Sequence, residues 1–189
     1  ISDEPDYLSR SYAVEYSYKL AADTLILNTG LSIQDDTVKN FAGSFVDKKT
    51  PLLSAGLTRI LDKFTSVTLN FSYSWPSGYL SDPYKSVYHE IFGDISGAPE
   101  NRPDERKIFI FYSELSRYLD LLKTGIHFSY RYFQDNHNLS GNTFEIQANK
   151  RFGEKWVISP HYRFYRQNQP SFYNPEMRSY AFFDTYMRS

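Results

Sequence analysis

Long period-2 alternation is the feature that most narrows what this chain can fold into. In residues 64–75, Thr65, Val67, Leu69, Phe71, Tyr73 and Trp75 fall on one side of an extended backbone, and Ser66, Thr68, Asn70, Ser72 and Ser74 fall on the other. Nine segments carry such alternation: 8–20, 24–35, 51–61, 64–75, 106–118, 122–134, 142–152, 155–167 and 177–188. They run about 11–13 residues, where strands of water-soluble domains cluster near 5–6. A strand that crosses a bilayer at a tilt needs about 9–11. The length therefore predicts an all-β, antiparallel up-and-down transmembrane barrel. The alternation puts Leu69, Phe71, Ile126, Phe128, Ile146 and Ile158 outside, and Asn70, Arg131, Glu145 and Arg163 inside.

The connections agree. Short turns are expected at Ala21–Asp23, Asp62–Lys63, Asp120–Leu121 and Gly153–Glu154, and long external loops at 36–50, 76–105, 135–141 and 168–176. Outer-membrane barrels have this asymmetry, with short periplasmic turns and long outer loops. The only piece with any helical spacing is Tyr84–Phe92. With 17 Tyr and 15 Phe in 189 residues, aromatics are numerous, yet the mean hydropathy is −0.54. Strands with one apolar and one wet face reconcile the two. Aromatics near strand ends would form girdles at the membrane interfaces.

Charge and cysteine content exclude several classes. A formal net charge of −1 gives no basic footprint for nucleic acid. Without cysteine there is no thiolate metal site and no covalent haem motif. No cofactor is expected. His89, His137 and His161 are scattered, Asp3-Glu4 and Asp35-Asp36 read as solvated loops, and Gly78, Asp82 and Pro83 read as loop formers.

The sequence around Gly78-Tyr79-Leu80-Ser81-Asp82-Pro83-Tyr84-Lys85, with Glu100-Asn101-Arg102-Pro103-Asp104-Glu105-Arg106, Ser129-Tyr130-Arg131-Tyr132-Phe133 and Pro160-His161-Tyr162-Arg163-Phe164-Tyr165, resembles a bacterial family. That family is catalogued as a domain of unknown function, number 3570, and its members are thought to be outer-membrane barrels. The resemblance covers roughly residues 70–175. It implies a location in the bacterial outer membrane, contact with membrane lipid or lipopolysaccharide, and envelope protein partners. Its genes are thought to adjoin thioredoxin-like and flavin-transferase genes, which implies a barrel component of an envelope redox or export complex. Family members look longer than this chain. No signal peptide is visible, the chain ends without a terminal aromatic, and nine strands is an odd number, so a segment of a larger barrel is expected.

Two constellations point to function. Hairpin counting puts Glu114 near His127, Arg131 opposite Glu145, and Glu145 opposite Arg163, a charge ladder lining a lumen. Such a lining suits a pore, or a scaffold for envelope partners, with no catalysis. The other reading is a serine hydrolase on the barrel wall. Outer-membrane phospholipases use a His and a Ser spaced as His127 and Ser129 are, with an Asn on a neighbouring strand, here Asn149. That chemistry needs the lipid-facing wall, and this pair points inward beside Arg131.

Overall fold

The computed structural model describes residues 2–91, 94–153, 155–172 and 178–181. The strands, in chain order, are β1 (Ser2–Glu4), β2 (Tyr7–Leu20), β3 (Leu25–Lys39), β4 (Phe45–Asp62), β5 (Thr65–Ser74), β6 (Ser77–Gly78) and β7 (Lys85–Ile91). They continue with β8 (Asp94–Pro99), β9 (Ile108–Leu119), β10 (Thr124–Asp135), β11 (Ser140–Phe152), β12 (Trp156–Ile158), β13 (His161–Gln167) and β14 (Arg178–Ala181). A single 3-10 turn, Asp120–Leu122, is the one helical element among the described residues. No helix there is long and apolar enough to cross a membrane, which leaves crossing by strands open.

The main sheet is an antiparallel meander in the order β1-β2-β3-β4-β5-β9-β10-β11, with β12 and β13 both pairing β11. Sheet formation follows from the alternation, because each strand has one apolar side to share with its neighbours. β12 and β13 are one strand interrupted at Ser159-Pro160; proline has no N–H to give the ladder. The sheet is not closed. Among the described residues β2 pairs with β1 and β3 alone. The described part of the expected ninth strand, Arg178–Ala181, pairs with β7, and the remainder of 177–188 lies outside the described residues.

Three expected connections are corrected. The loop placed at 36–50 is confined to 40–44, because β3 and β4 continue as a paired ribbon. Asp36 faces Lys48, Asp35 faces Lys49 and Thr37 faces Asp47, so the charges that read as solvated loop are cross-strand partners. The excursion at 76–105 contains the hairpin β7–β8, and the piece with helical spacing is strand from Lys85 to Ile91; Phe92 lies outside the described residues. The loop at 135–141 is reduced to 136–139. Of the loop at 168–176, residues 173–176 lie outside the described residues, as does Glu154 of the last turn.

Backbone hydrogen bonds gather the long connections at one end of the sheet. Lys39 N–H donates to Asp6, Tyr79 N–H to Asp47, Asn136 N–H to Lys107, and Ser171 N–H to His137. At the opposite end, Ile60 N–H donates to Thr24, Tyr118 N–H to Phe64 and Arg151 N–H to Lys123.

Pairing extends each face across the sheet. One row runs Tyr18–Leu27–Leu57–Leu69–Ser113–Tyr130–Phe144–Phe164, and the next Leu20–Leu25–Arg59–Val67–Leu115–Phe128–Ile146–Tyr162. On the other face a row runs Ser17–Asn28–Gly56–Asn70–Tyr112–Arg131–Thr143–Tyr165. Burial is inverted relative to a soluble sheet. Val14, Leu31, Phe128, Ile146 and Tyr162 are exposed at 74%, 61%, 47%, 48% and 66%, and Val38 is the only buried apolar residue among those described. Ser9, Asp36, Ser74, Ser129, Asp135 and Thr143 on the polar face are buried, as are Thr65 and Thr124 at the turn end of the apolar face.

The apolar band also runs obliquely to the hydrogen-bonded rows. Taking the first charge on the loop side as its limit, the band ends at Arg10 on β2, with Leu8 beyond it, and at Arg166 on β13, whose row meets β2 at Tyr16. The limit has moved six residues along the strands, Arg10 to Tyr16, over the seven strand-to-strand steps of that row. With a rise of about 3.3 Å per residue and about 4.8 Å between strands, the band and the rows diverge by about 30°.

Candidate functional site

The centre of the polar face, on β9 to β13, concentrates the ionisable side chains. Glu145 lies opposite Arg163, with Arg163 Nε 3.1 Å from Glu145 Oε1. His161, one alternation further along β13, brings Nε2 to 3.6 Å from Glu145 Oε2. Arg131 is not opposite Glu145. It faces Thr143, and Ser129 takes the place opposite Glu145. The turn explains the shift. Asp135 N–H donates to Leu139 O, the Asp135 carboxylate accepts the N–H groups of His137 and Leu139 at 2.9 Å each, and Asn138 adopts φ +62°. This centres the hairpin one residue earlier than a loop at 135–141 implies, and one residue at the turn is two in the register. The shift keeps parity, so Arg131, Glu145 and Arg163 still share a face.

Glu114 faces Ser129 and lies diagonal to His127, whose Nδ1 is 3.6 Å from Glu114 Oε1. Ser116 links them: its hydroxyl lies 2.6 Å from Glu114 Oε1 and 2.9 Å from His127 Nδ1. Tyr112 donates its hydroxyl to the other Glu114 oxygen. Sequence reading missed Ser116 and Tyr112, although each lies two residues from Glu114 on the same face.

His127, Ser129 and Asn149 are not brought together as a hydrolytic set. His127 faces Gln147, whereas Asn149 faces Gly125 and accepts an amide hydrogen from Gln147 at 3.0 Å. Ser129 is buried between two carboxylate-bearing strands. A base must be oriented by a third group on its far nitrogen; the one serine touching His127, Ser116, meets it on the same Nδ1 that approaches Glu114. Among the described residues no group of His and carboxylates is arranged to hold a metal ion. His137 Nε2 meets Glu105 O at 2.9 Å, and the His89 side chain lies outside the described residues.

The loop motif forms a latch over the rim. Gly78 has φ +94° and donates to Asp104 O at 2.9 Å, and a Cβ there would collide with Asp47 O. Tyr79 N–H reaches Asp47 O at 3.0 Å. The Asp82 carboxylate accepts Tyr84 N–H at 3.0 Å and meets Lys85 at 3.4 Å. Glu100 holds both Asp82 N–H, at 3.1 Å, and Arg102, at 2.9 Å. Arg102 N–H donates to Ser81 Oγ at 2.8 Å, and Pro103 joins Arg102 to Asp104. Tyr84 donates to Asp6, which raises the Tyr84 hydroxyl above its ordinary range. Pro83 and Tyr84, with Tyr7, Val38, Tyr79 and Lys48, line a cleft of about 360 Å³.

Beneath the latch lies Asp36, buried among Tyr7, Ser9, Gln34 and Lys48. Gln34 Nε2 reaches its two oxygens at 2.9 and 3.2 Å, and Lys48 Nζ is 3.5 Å away. Burial pushes its carboxyl up, but hydrogen bonds from Ser9, Gln34 and Tyr7 together with the Lys48 charge hold it below the usual range. Asp36 was legible only as an acidic pair with Asp35; its burial needs the strand extension that sequence reading did not make.

These features define an all-β protein built on a main antiparallel sheet with an apolar and a polar face, with a separate three-stranded sheet in the order β14-β7-β8. The chain belongs to the family described as protein of unknown function (DUF3570), whose model matches residues 40–187. No curated protein and no solved structure matches it.

Proposed function

We propose that this chain forms part of the wall of a β-barrel in the bacterial outer membrane. Its polar face lines the lumen, and the barrel serves as a pore or as a scaffold for envelope partners, without catalysis. The inverted burial carries this reading. An apolar face exposed along the length of eight paired strands costs about 25 cal/mol per Å² in water. In hydrocarbon that cost vanishes. The roughly 30° between band and rows supports the same reading, since strands of outer-membrane barrels tilt by about 35–45°. A soluble sheet has no reason to set its apolar limit oblique to its own ladder.

Mixed charge on the lumenal side, with Glu114, Glu145, Arg131 and Arg163 all present, suits water-filled passage of small solutes without strong ion selection. The test is reconstitution of the full-length protein in planar bilayers. Stepwise conductance is the result for a pore; insertion without conductance assigns the scaffold role. Purification as a stable species in detergent-free buffer would overturn the barrel itself.

A further inference from the structure

Three cations stand in the turn-side half of the apolar face, where the alternation calls for hydrophobic side chains. Arg59 of β4 shares its row with Leu25, Val67, Leu115 and Phe128. Arg117 of β9 faces Thr65 on one side and Ile126 on the other. Lys150 of β11 faces Thr124 and Ile158. Apolar residues continue beyond each of them towards the turns: Leu61 past Arg59, Leu119 past Arg117, and Phe152 past Lys150. Each of these charges therefore has apolar residues on both sides of it along its strand.

Their placement is regular. The row of Arg59 reaches β9, two strands away, at Leu115, and Arg117 is two residues further towards the turn. The row of Arg117 reaches β11, again two strands away, at Ala148, and Lys150 is two residues further. The line therefore descends one residue per strand. The loop-side limit of the apolar band descends six residues in seven steps, Arg10 to Arg166, so the two lines run nearly parallel. Arg59, Arg117 and Lys150 thus stand at one depth, on alternate strands.

None of the three has a carboxylate within 4.0 Å among the described residues. The nearest acid in effect, Asp62, is influenced by Arg117 but is engaged by the Phe64 N–H at 2.7 Å. Aromatics lie alongside: Lys150 sits 5.3 Å from the Phe152 ring centroid, and Lys63 sits 4.6 Å from that of Phe64. Unpaired charge in apolar surroundings is costly unless an anion meets it, and long basic side chains can carry their head groups to the interface. We infer that Arg59, Arg117 and Lys150 form a belt that binds the phosphates of anionic phospholipid in the leaflet met by the turn end. This rests on the membrane reading above and names the lipid that the wall prefers.

The experiment places the full-length protein in vesicles of phosphatidylcholine, alone or mixed with phosphatidylglycerol, and counts the lipid retained after extraction by native mass spectrometry. Wild type should retain phosphatidylglycerol preferentially. Replacing all three cations (Arg59→Gln, Arg117→Gln, Lys150→Gln) should cut that preference by about fivefold per cation, on the order of a hundredfold in all. The charge-keeping set Arg59→Lys, Arg117→Lys and Lys150→Arg should keep most of it, which separates charge from folding. Equal retention of both lipids by wild type, an unchanged preference in the neutral set, or a second copy of the chain protecting this face in place of lipid would each overturn the inference. Normal insertion into pure phosphatidylcholine alongside such a failure leaves the barrel standing. Failure to insert into either vesicle overturns both, because the three cations then face water.

Discussion

Glu145 and Arg163 face each other across the β11–β13 ladder, Nε to Oε1 at 3.1 Å, while His161 approaches the second carboxylate oxygen. Glu145 therefore meets the Arg163 guanidinium and the His161 imidazole from one strand, and Arg131 on the other side faces Thr143. Both partners of the pair are partly open to solvent, 55% for Arg163 and 35% for Glu145. Solvent screening keeps such a pair small, about 0.2–1 kcal/mol. A double-mutant cycle on Glu145→Gln and Arg163→Gln, read from urea midpoints in lipid, should give a coupling in that range. The cycle of Glu145→Gln with Arg131→Gln should give almost none. A larger coupling for Arg131 would mean that the side chains ignore the backbone register.

Gly78 is the second position to test. Its φ of +94° and the Asp47 carbonyl beside it leave no room for a Cβ. Gly78→Ala should cost about 1–3 kcal/mol locally. The loss should appear as release of the latch, with faster trypsin cleavage after Lys85 and little change in the sheet. Cleavage at the wild-type rate would show that the latch does not depend on this turn.

Asp36 makes the rim acid-sensitive. Its carboxyl is held below the ordinary range in the folded protein. A depressed carboxylate contributes stability that is fully present above its unfolded value of about 3.9. That contribution is lost as pH falls through the lower folded value. Amide exchange in 36–39 and 46–49 should accelerate as pH drops below about 4, after correction for intrinsic exchange. Asp36→Asn should exchange faster at neutral pH and lose the acid step. If the variant keeps the same acid step, another carboxylate governs it.

What was legible in the sequence, and what was not, separates along one physical line. Alternation reports faces, so Leu69, Phe71, Ile126 and Phe128 fall on one side and Asn70 and Arg131 on the other, as their residue types require. Tight turns report register: counting from Gly153 pairs Glu145 with Arg163. A longer loop does not, because its closing geometry is set by Asp135 and the left-handed Asn138, and a one-residue error there moved Arg131 by two. Charge was misleading where partners were distant in sequence. Asp35-Asp36 read as solvated loop until β3 and β4 pair, which buries Asp36 against Lys48 and leaves Asp35 half-exposed and Lys49 exposed. The exposed apolar face was legible too, because strands long enough to cross a bilayer put Phe128 and Ile146 outward, and both are exposed.

The facing of the wall gives the most demanding test of the membrane reading. Phe128 stands mid-strand between Leu115 and Ile146, exposed, on the apolar face; Gln147 stands one position past Ile146, on the polar face opposite His127. The two positions are neighbours in the sheet and differ in which side they serve. An arginine at the bilayer midplane costs about 2–4 kcal/mol, whereas a lumenal one is solvated. Phe128→Arg should therefore insert poorly into vesicles, with lowered heat-modifiability on gels, while Gln147→Arg should insert as wild type does. Phe71→Arg, two strands away on the same face, should repeat the defect. In a soluble sheet the order would invert, because an arginine on an exposed apolar face would improve solubility and one on the more buried polar face would disturb its hydrogen bonds. The sign of the difference between Phe128→Arg and Gln147→Arg thus decides between lipid and water as the medium that the apolar face meets.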